Sequence, residues 1–286
     1  MANITAAMVK ELREITGAGM MECKKALTEV EGDIEKAVDV LRTKGLAAVA
    51  KKAGRATNEG AIVTVVSEDG KAGAIVELNC ETDFVAINEK FKAYCEKIAQ
   101  AALAAKANDI EALKAASIDG ESVEDIITDA IHVLGENIKL SRCAYVEADG
   151  VAAYTHTDGK KAVLVLFDAE GVDPTADEFK VAGRDVAMQA VAMAPVAANR
   201  ASVDQAIIDH EMEIYKAQAA ESGKPENIQQ KIAEGRMEKF FKEQCLAEQV
   251  FVKDAEQTVK QYVDAAAKKL GGTVAVKDFT RFFLGE

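Results

Sequence analysis

The sequence has no tryptophan, three prolines and three histidines in 286 residues. So little proline excludes a proline-rich, extended or disordered chain. Cysteine is sparse as well: Cys23, Cys80, Cys95, Cys143 and Cys245 are odd in number and widely scattered. Without a Cys-x-x-Cys pair there is no ligand pattern for a zinc ribbon and no thioredoxin-type redox motif. A reduced, cytoplasmic compartment is expected. No apolar run is long enough to cross a bilayer. Met1–Thr5 carry neither a basic stretch nor an apolar signal core. Bases are outnumbered, 35 against 48 acids, for a net charge of −13. That balance argues against direct nucleic-acid binding, which needs a basic surface, and against attraction to anionic membranes.

Catalytic patterns are missing too. His132, His156 and His210 fall in different segments, and each reads as structural. His210-Glu211 lacks the second histidine of a zinc-protease helix. There is no Gly-x-Ser-x-Gly elbow and no phosphate-binding Gly-x4-Gly-Lys-Ser/Thr loop. Gly17-Ala18-Gly19 has no third glycine at the dinucleotide spacing and no strand before it. Paired acids such as Glu124-Asp125 read as solvated helix faces. No metal, cofactor or enzymatic activity is expected.

What the sequence does have is apolar residues, 49% of the total, in clear periodic patterns. Ile4, Met8, Leu12 and Ile15 form one helical stripe. Thr16-Gly17-Ala18-Gly19 breaks it. Met20, Cys23, Leu27 and Val30 form a second stripe. Asp33 then caps a third, made of Ile34, Ala37, Val38 and Leu41. Residues 1–44 are thus expected to be a three-helix module. Residues 45–59 are expected to be a linker. Lys44, Lys51, Lys52 and Arg55 face no acid before Glu59 there, and the reading is a solvated connector or, alternatively, a contact to an acidic partner.

Two segments echo each other. Ala61–Lys71 leads through Asp69-Gly70 into Ala74–Leu78, and Val151–Lys160 leads through Asp158-Gly159 into Ala162–Phe167. Each reads as strand, Asp-Gly turn, strand, followed by a helix. The first helix carries Phe91, Tyr94, Cys95, Ile98 and Ala102 on one face. The second carries Phe179, Ala182, Val186 and Gln189, with Pro174 near its start. Between the copies, Ser122-Val123-Glu124-Asp125 has a capping-box pattern, and Gly135 ends the helix that follows. Val203, Ile207, His210, Ile214 and Ala217 step as a heptad seam. Ser222-Gly223-Lys224-Pro225 turns the chain, and Ile228, Ile232, Phe240 and Phe241 return. This hairpin either packs in cis or meets a partner, including a second copy in a homodimer. A helix with Val259, Tyr262, Val263, Ala266 and Leu270, then a strand from Thr273 to about Leu284, complete the chain. The class is α+β. Expected domains are 1–44, a linker 45–59, a core N-subdomain 60–143, a core C-subdomain 144–201 plus 246–286, and an inserted antiparallel coiled-coil hairpin 202–245.

Thr82-Asp83-Phe84-Val85 places an acid and a large aromatic at a strand-to-helix corner. Asp83 could cap the next helix while Phe84 packs inside. Alternatively, the corner presents Phe84 to a partner.

Several segments together resemble the translation elongation factor Ts family, whose members exchange guanine nucleotide on elongation factor Tu. They are Thr16–Leu27, Asn79–Ala86, Gly135–Ile138, Ser222–Pro225 and Glu234–Met237, in the family's order along nearly the whole chain. The resemblance implies a ubiquitin-associated-like N-terminal module, a two-part core with antiparallel sheets and an inserted coiled coil. It implies that Leu12, Met20, Met21 and Lys24 meet the nucleotide-binding domain of Tu. Thr82, Asp83, Phe84 and Val85 would approach the partner's magnesium and phosphate region, supported by Leu134, Gly135, Asn137 and Ile138. His156 and Val252 would be further contacts. Longer members carry an added C-terminal helical module, and that contact is not expected here. An interaction adaptor without effect on nucleotide is the alternative.

Overall fold

The computed structural model describes residues 4–16 and 18–286, and for residues 46–51 the backbone only. Met1–Asn3, Gly17 of the expected turn and the Lys51 side chain of the expected basic segment lie outside the described residues.

Three helices come first: α1 (Ala6–Thr16), α2 (Met20–Glu29) and α3 (Ile34–Lys52). Val9, Leu12, Ala18, Cys23, Ala26, Leu27, Ala37 and Leu41 form their common core. Asp33 Oδ1 accepts the Lys36 amide at 3.1 Å and so caps α3. Ile15 departs from its expected place in the stripe. It is exposed, because Val9 and Leu12 already fill the seam. The linker also begins later than expected, since α3 continues to Lys52. Gly45 does not break it. This stretch lies against a later helix, where Lys52 Nζ donates to the Ile131 carbonyl at 3.1 Å.

The remaining elements are β1 (Glu59–Val66), β2 (Ala72–Cys80), α4 (Asp83–Ala86), α5 (Glu89–Ala105), α6 (Ile110–Ala115), β3 (Ser117–Ile118), β4 (Glu121–Ser122), α7 (Val123–Leu134), β5 (Lys139–Glu147), β6 (Gly150–Thr155), β7 (Lys161–Glu170), α8 (Asp177–Met193), α9 (Gln205–Ala220), α10 (Glu226–Gln244), β8 (Val250–Phe251), β9 (Asp254–Thr258), α11 (Val259–Leu270) and β10 (Thr273–Phe283). Sheet orders are β1-β2-β5 and β10-β7-β6, with small β3-β4 and β8-β9 ribbons. Mixed helices and antiparallel sheets make the fold α+β.

The chain divides into two compact units. One holds the described residues up to Val63, Val76–Ala144 and Leu284–Glu286, and the other holds Thr64–Ile75 and Tyr145–Phe283. In the first, Phe91, Cys95 and Ile98 of α5 and Val123, Ile126 and Ile131 of α7 are buried. Each large apolar side chain buried this way contributes about 1.5–3 kcal/mol. Arg42 on α3 donates to Asp125 on α7 at 2.7 Å, tying the three-helix bundle to that helix. In the second unit, Val163, Val165 and Phe167 of β7 pack with Phe179 and Val186 of α8 and Val259 and Val263 of α11.

The inserted hairpin forms as α9 and α10, and its seam follows the expected one only in part. Of the expected seam, Val203 is buried and Ile214 half-buried, but Ile207, His210 and Ala217 are exposed, while Ile208, Met212 and Tyr215 are half-buried and Ala219 is buried. On α10, Ala233 and Met237 are buried.

Candidate partner-binding site

Strand β2 leaves the sheet at Cys80 and the chain turns into α4, a single helical turn. Thr82, not Asp83, is its N-cap. The Thr82 hydroxyl accepts the Val85 amide at 3.4 Å. Asn88 then caps α5 by accepting the Lys90 amide at 2.9 Å. With both caps supplied by neighbours, neither Asp83 nor Phe84 is needed to terminate a helix. Phe84 is 78% exposed, and Ile87 beside it is 68% exposed. Two large apolar side chains this open on one short corner are unusual for a folded surface. The reading in which Phe84 packs inside is thereby excluded.

The corner is held from behind by the segment that follows α7. Gly135 ends α7 in the left-handed region, at φ 78°, which a glycine adopts without strain. That reversal sends Glu136 back toward β2. Glu136 Oε2 accepts the amides of Glu81 and Thr82, each at 3.0 Å, and its Oε1 accepts the Thr82 hydroxyl at 2.6 Å. In return, the Asn137 amide donates to Glu81 Oε1 at 2.6 Å. Arg55 joins them: its guanidinium donates to Glu81 at 3.2 Å, and its carbonyl accepts the Asn137 side-chain amide at 2.9 Å. The Asn137 amide, and then Arg55, hold the Glu81 carboxyl below its ordinary pKa. Beneath the corner, Cys80 donates to the Thr82 carbonyl at 3.2 Å. Burial, reinforced by the nearby Glu136 charge, pushes its thiol pKa up to about 12, so it stays a neutral packing group.

The other expected contacts fall into three groups. Met20 and Met21 are 60% and 65% exposed at the start of α2, and Lys24 is exposed one turn on. Leu12, Asn137 and Ile138 are corrections. All three are buried and offer no side chain to a partner. Leu12 is spent in the bundle core and Asn137 in its bonds to Glu81 and Arg55, while Ile138 is buried where the chain enters β5. Val85 and Leu134 are half-buried, and Gly135 is exposed.

His156 and Val252 lie in the second unit. The His156 ring meets the Tyr154 hydroxyl at 3.2 Å. Val250 and Val252 stand exposed on either side of buried Phe251, which stacks on Tyr262 at 4.3 Å between ring centres. Sequence reasoning missed what fixes this segment. Gln189, fully buried on α8, donates to the Val250 carbonyl at 3.1 Å and accepts the Val252 amide at 2.8 Å. A polar residue on an apolar helical face was the available signal.

A cavity of about 300 Å³ in the first unit is lined by Arg42, Glu121, Asp125, Asp129 and His132, among others. Its carboxylates are already committed: Asp125 to Arg42, Asp129 to the Tyr94 hydroxyl and Glu121 to Lys97. Among the described residues, no group of histidine, cysteine and acidic side chains could hold a metal ion. No helix among the described residues is long and apolar enough to cross a membrane.

Comparison with known proteins agrees with this picture. A family model described as elongation factor TS matches residues 81–286. Elongation factor Ts of Clostridium acetobutylicum is 48% identical over 287 residues, covering 99% of this chain and 93% of that protein. The Trichlorobacter lovleyi and Clostridium tetani proteins of the same name are each 46% identical, covering 99% of this chain and 93% and 94% of theirs. Matched by the family model over most of its length and 46–48% identical to relatives over 99% of it, the chain belongs to the elongation factor Ts family of translation elongation factors.

Proposed function

We propose that this chain is a guanine-nucleotide exchange factor that binds elongation factor Tu carrying GDP and promotes GDP release. It acts in the cytoplasm and performs no bond chemistry itself. The observation that carries this reading is Phe84, 78% exposed on a corner whose backbone is held by Glu136. A side chain that contributes nothing to its own core, on a rigid mount, is built to enter something else.

An exchange factor must bind its partner more tightly without nucleotide than with it. By linkage it weakens nucleotide binding by the same factor. Moving the partner from mostly loaded to mostly empty takes about 5.5 kcal/mol of differential affinity. Burial of one phenylalanine yields about 1.5–3 kcal/mol. Phe84 therefore needs help. Met20, Met21 and Lys24 dock the N-terminal module on the nucleotide-binding domain, and His156 and Val252 add contacts from the second unit. Phe84 and Asp83 then disturb the groups that hold magnesium and phosphate, with Thr82 and Val85 shaping the corner.

The test mixes the protein with Tu carrying fluorescent GDP and follows release under excess unlabelled GDP. Release accelerated in proportion to added protein supports the reading, and release at the unaided rate refutes it.

A further inference from the structure

The exposed position of Phe84 raises a question that its own contacts do not answer. A side chain 78% exposed gains no direction from packing. The helix it sits on, Asp83–Ala86, is a single turn, too short to persist alone because helix nucleation is unfavourable. Its direction must come from whatever fixes residues 81–85 from outside. Among the described contacts, the Asn137 amide and Arg55 hold the Glu81 side chain and Cys80 meets the Thr82 carbonyl, but one carboxylate gathers both backbone amides and the Thr82 hydroxyl. Glu136 accepts three hydrogen bonds from the two residues that precede α4. Thr82 acts as the relay. Its hydroxyl donates to Glu136 and accepts the Val85 amide, so the carboxylate reaches the first turn of α4 through one side chain. The reciprocal bond, Asn137 amide to Glu81, closes the ring and fixes Glu136 itself, since its neighbour cannot move without breaking that bond.

We propose that Glu136 is the positioning residue of the exchange corner. With Glu81 it forms a reciprocal clasp that aims Phe84, and Arg55 ties the segment after the N-terminal bundle to the same clasp. This rests on the exchange reading above and adds to it a residue that acts through Glu81 and Thr82. Its role is distinct from fold maintenance, since Glu136 serves a surface turn rather than the buried core of α5 and α7.

The chemistry of the clasp predicts which replacements work. Glutamine at 136 keeps an oxygen for the two amides, and its NH2 can donate to the Thr82 hydroxyl. Alanine leaves all three donors without their acceptor. The experiment measures GDP release from fluorescently loaded Tu across factor concentrations, giving a maximal rate and a half-saturating concentration. It uses wild type, Glu136→Gln, Glu136→Ala, Phe84→Ala and the Phe84→Ala/Glu136→Ala double variant. Misaiming by about an ångström is expected to lower the maximal rate of Glu136→Ala about tenfold or more. Its half-saturating concentration should change little, and Glu136→Gln should stay within about threefold of wild type. In the Phe84→Ala background, Glu136→Ala should cost nothing further, because there is no aromatic left to aim. Should Glu136→Ala not fold, Thr82→Val serves in its place, with the same non-additivity expected. Equal maximal rates for wild type and Glu136→Ala would overturn the proposal. So would an equal loss with and without Phe84, which marks a merely structural role. If wild type itself releases no GDP, the exchange reading fails instead, and the two failures are distinguishable.

Discussion

The molecule builds the same strand–corner–helix scheme twice and uses the two corners differently. In each copy, the third residue of the long helix is a phenylalanine, Phe91 in α5 and Phe179 in α8, and both are buried. Phe179 closes edge-to-face on Phe167, with ring centres 5.4 Å apart. It presses so closely on Gly150 that an added Cβ would lie 2.3 Å from its ring. The second corner, Gly171–Ala176, is self-contained. Asp173 accepts the Thr175 amide and hydroxyl at 2.8 and 2.7 Å, and no exposed aromatic stands there. The first corner carries an extra turn, α4, and an extra aromatic, Phe84, which its core does not need because Phe91 already fills that place. It also borrows its hydrogen bonds from a distant segment, through Glu136. On the exchange reading, the surplus aromatic on the clasped corner serves a partner, whereas the aromatic in the repeated position serves the core.

This comparison breaks if the two phenylalanines behave alike. Phe179→Ala should lose about 3–5 kcal/mol of stability in denaturant unfolding, the usual range for a large-to-small core change. Phe84→Ala should stay within about 0.5 kcal/mol of wild type, as exposed substitutions do. Next in size, Met20→Ser combined with Met21→Ser should weaken association with Tu by about 1.5–3 kcal/mol, read by calorimetry, with the unfolding midpoint unchanged. An affinity equal to wild type would remove the N-terminal module from the contact. Thr82→Ala should cost about 1 kcal/mol as a lost cap, whereas Asp83→Ala, which caps nothing, should cost almost none. Equal losses at both positions would contradict the cap assignment.

The smallest effect is one of pH. Glu81 has its folded pKa held below the ordinary 4.5 by the Asn137 amide and then by Arg55. Its contribution is therefore present above pH 4.5 and is lost as pH falls through the lowered folded value. The Asn137 amide resonance, followed by NMR on the free protein, should shift in that acid window and not between pH 5 and 8. A titration near neutrality would contradict the Glu81–Asn137 bond.

Much of this was legible in the sequence, for reasons that differ by region. The Asp69-Gly70 and Asp158-Gly159 hairpins and the Phe91 and Phe179 faces were readable because turn chemistry and helical period are local signals. The β3-β4 ribbon was missed although Asp119-Gly120 carries the same turn signal, since its strands are too short to show alternation. The hairpin seam was only partly placed: Val203 and Ile214 are buried or half-buried as expected, but Ile207, His210 and Ala217 are exposed, because apolar residues also stand one or two positions along at Ile208, Met212 and Tyr215. Leu12 was assigned to a surface although its own stripe buries it. Met20 was assigned to an apolar stripe, yet it lies exposed at the first turn of α2. The clasp was the least legible feature. Glu81 and Glu136 are far apart in sequence, and nothing local distinguishes their carboxylates from the many that are solvated.

The central claim is that an exposed aromatic on a clasped corner drives nucleotide off a partner. Stopped-flow release of fluorescent GDP from Tu, at saturating wild-type or Phe84→Ala protein, tests it most directly. The account predicts rapid release with wild type and a maximal rate about 10- to 100-fold lower with Phe84→Ala, matching the burial of one phenylalanine. Equal maximal rates would contradict it.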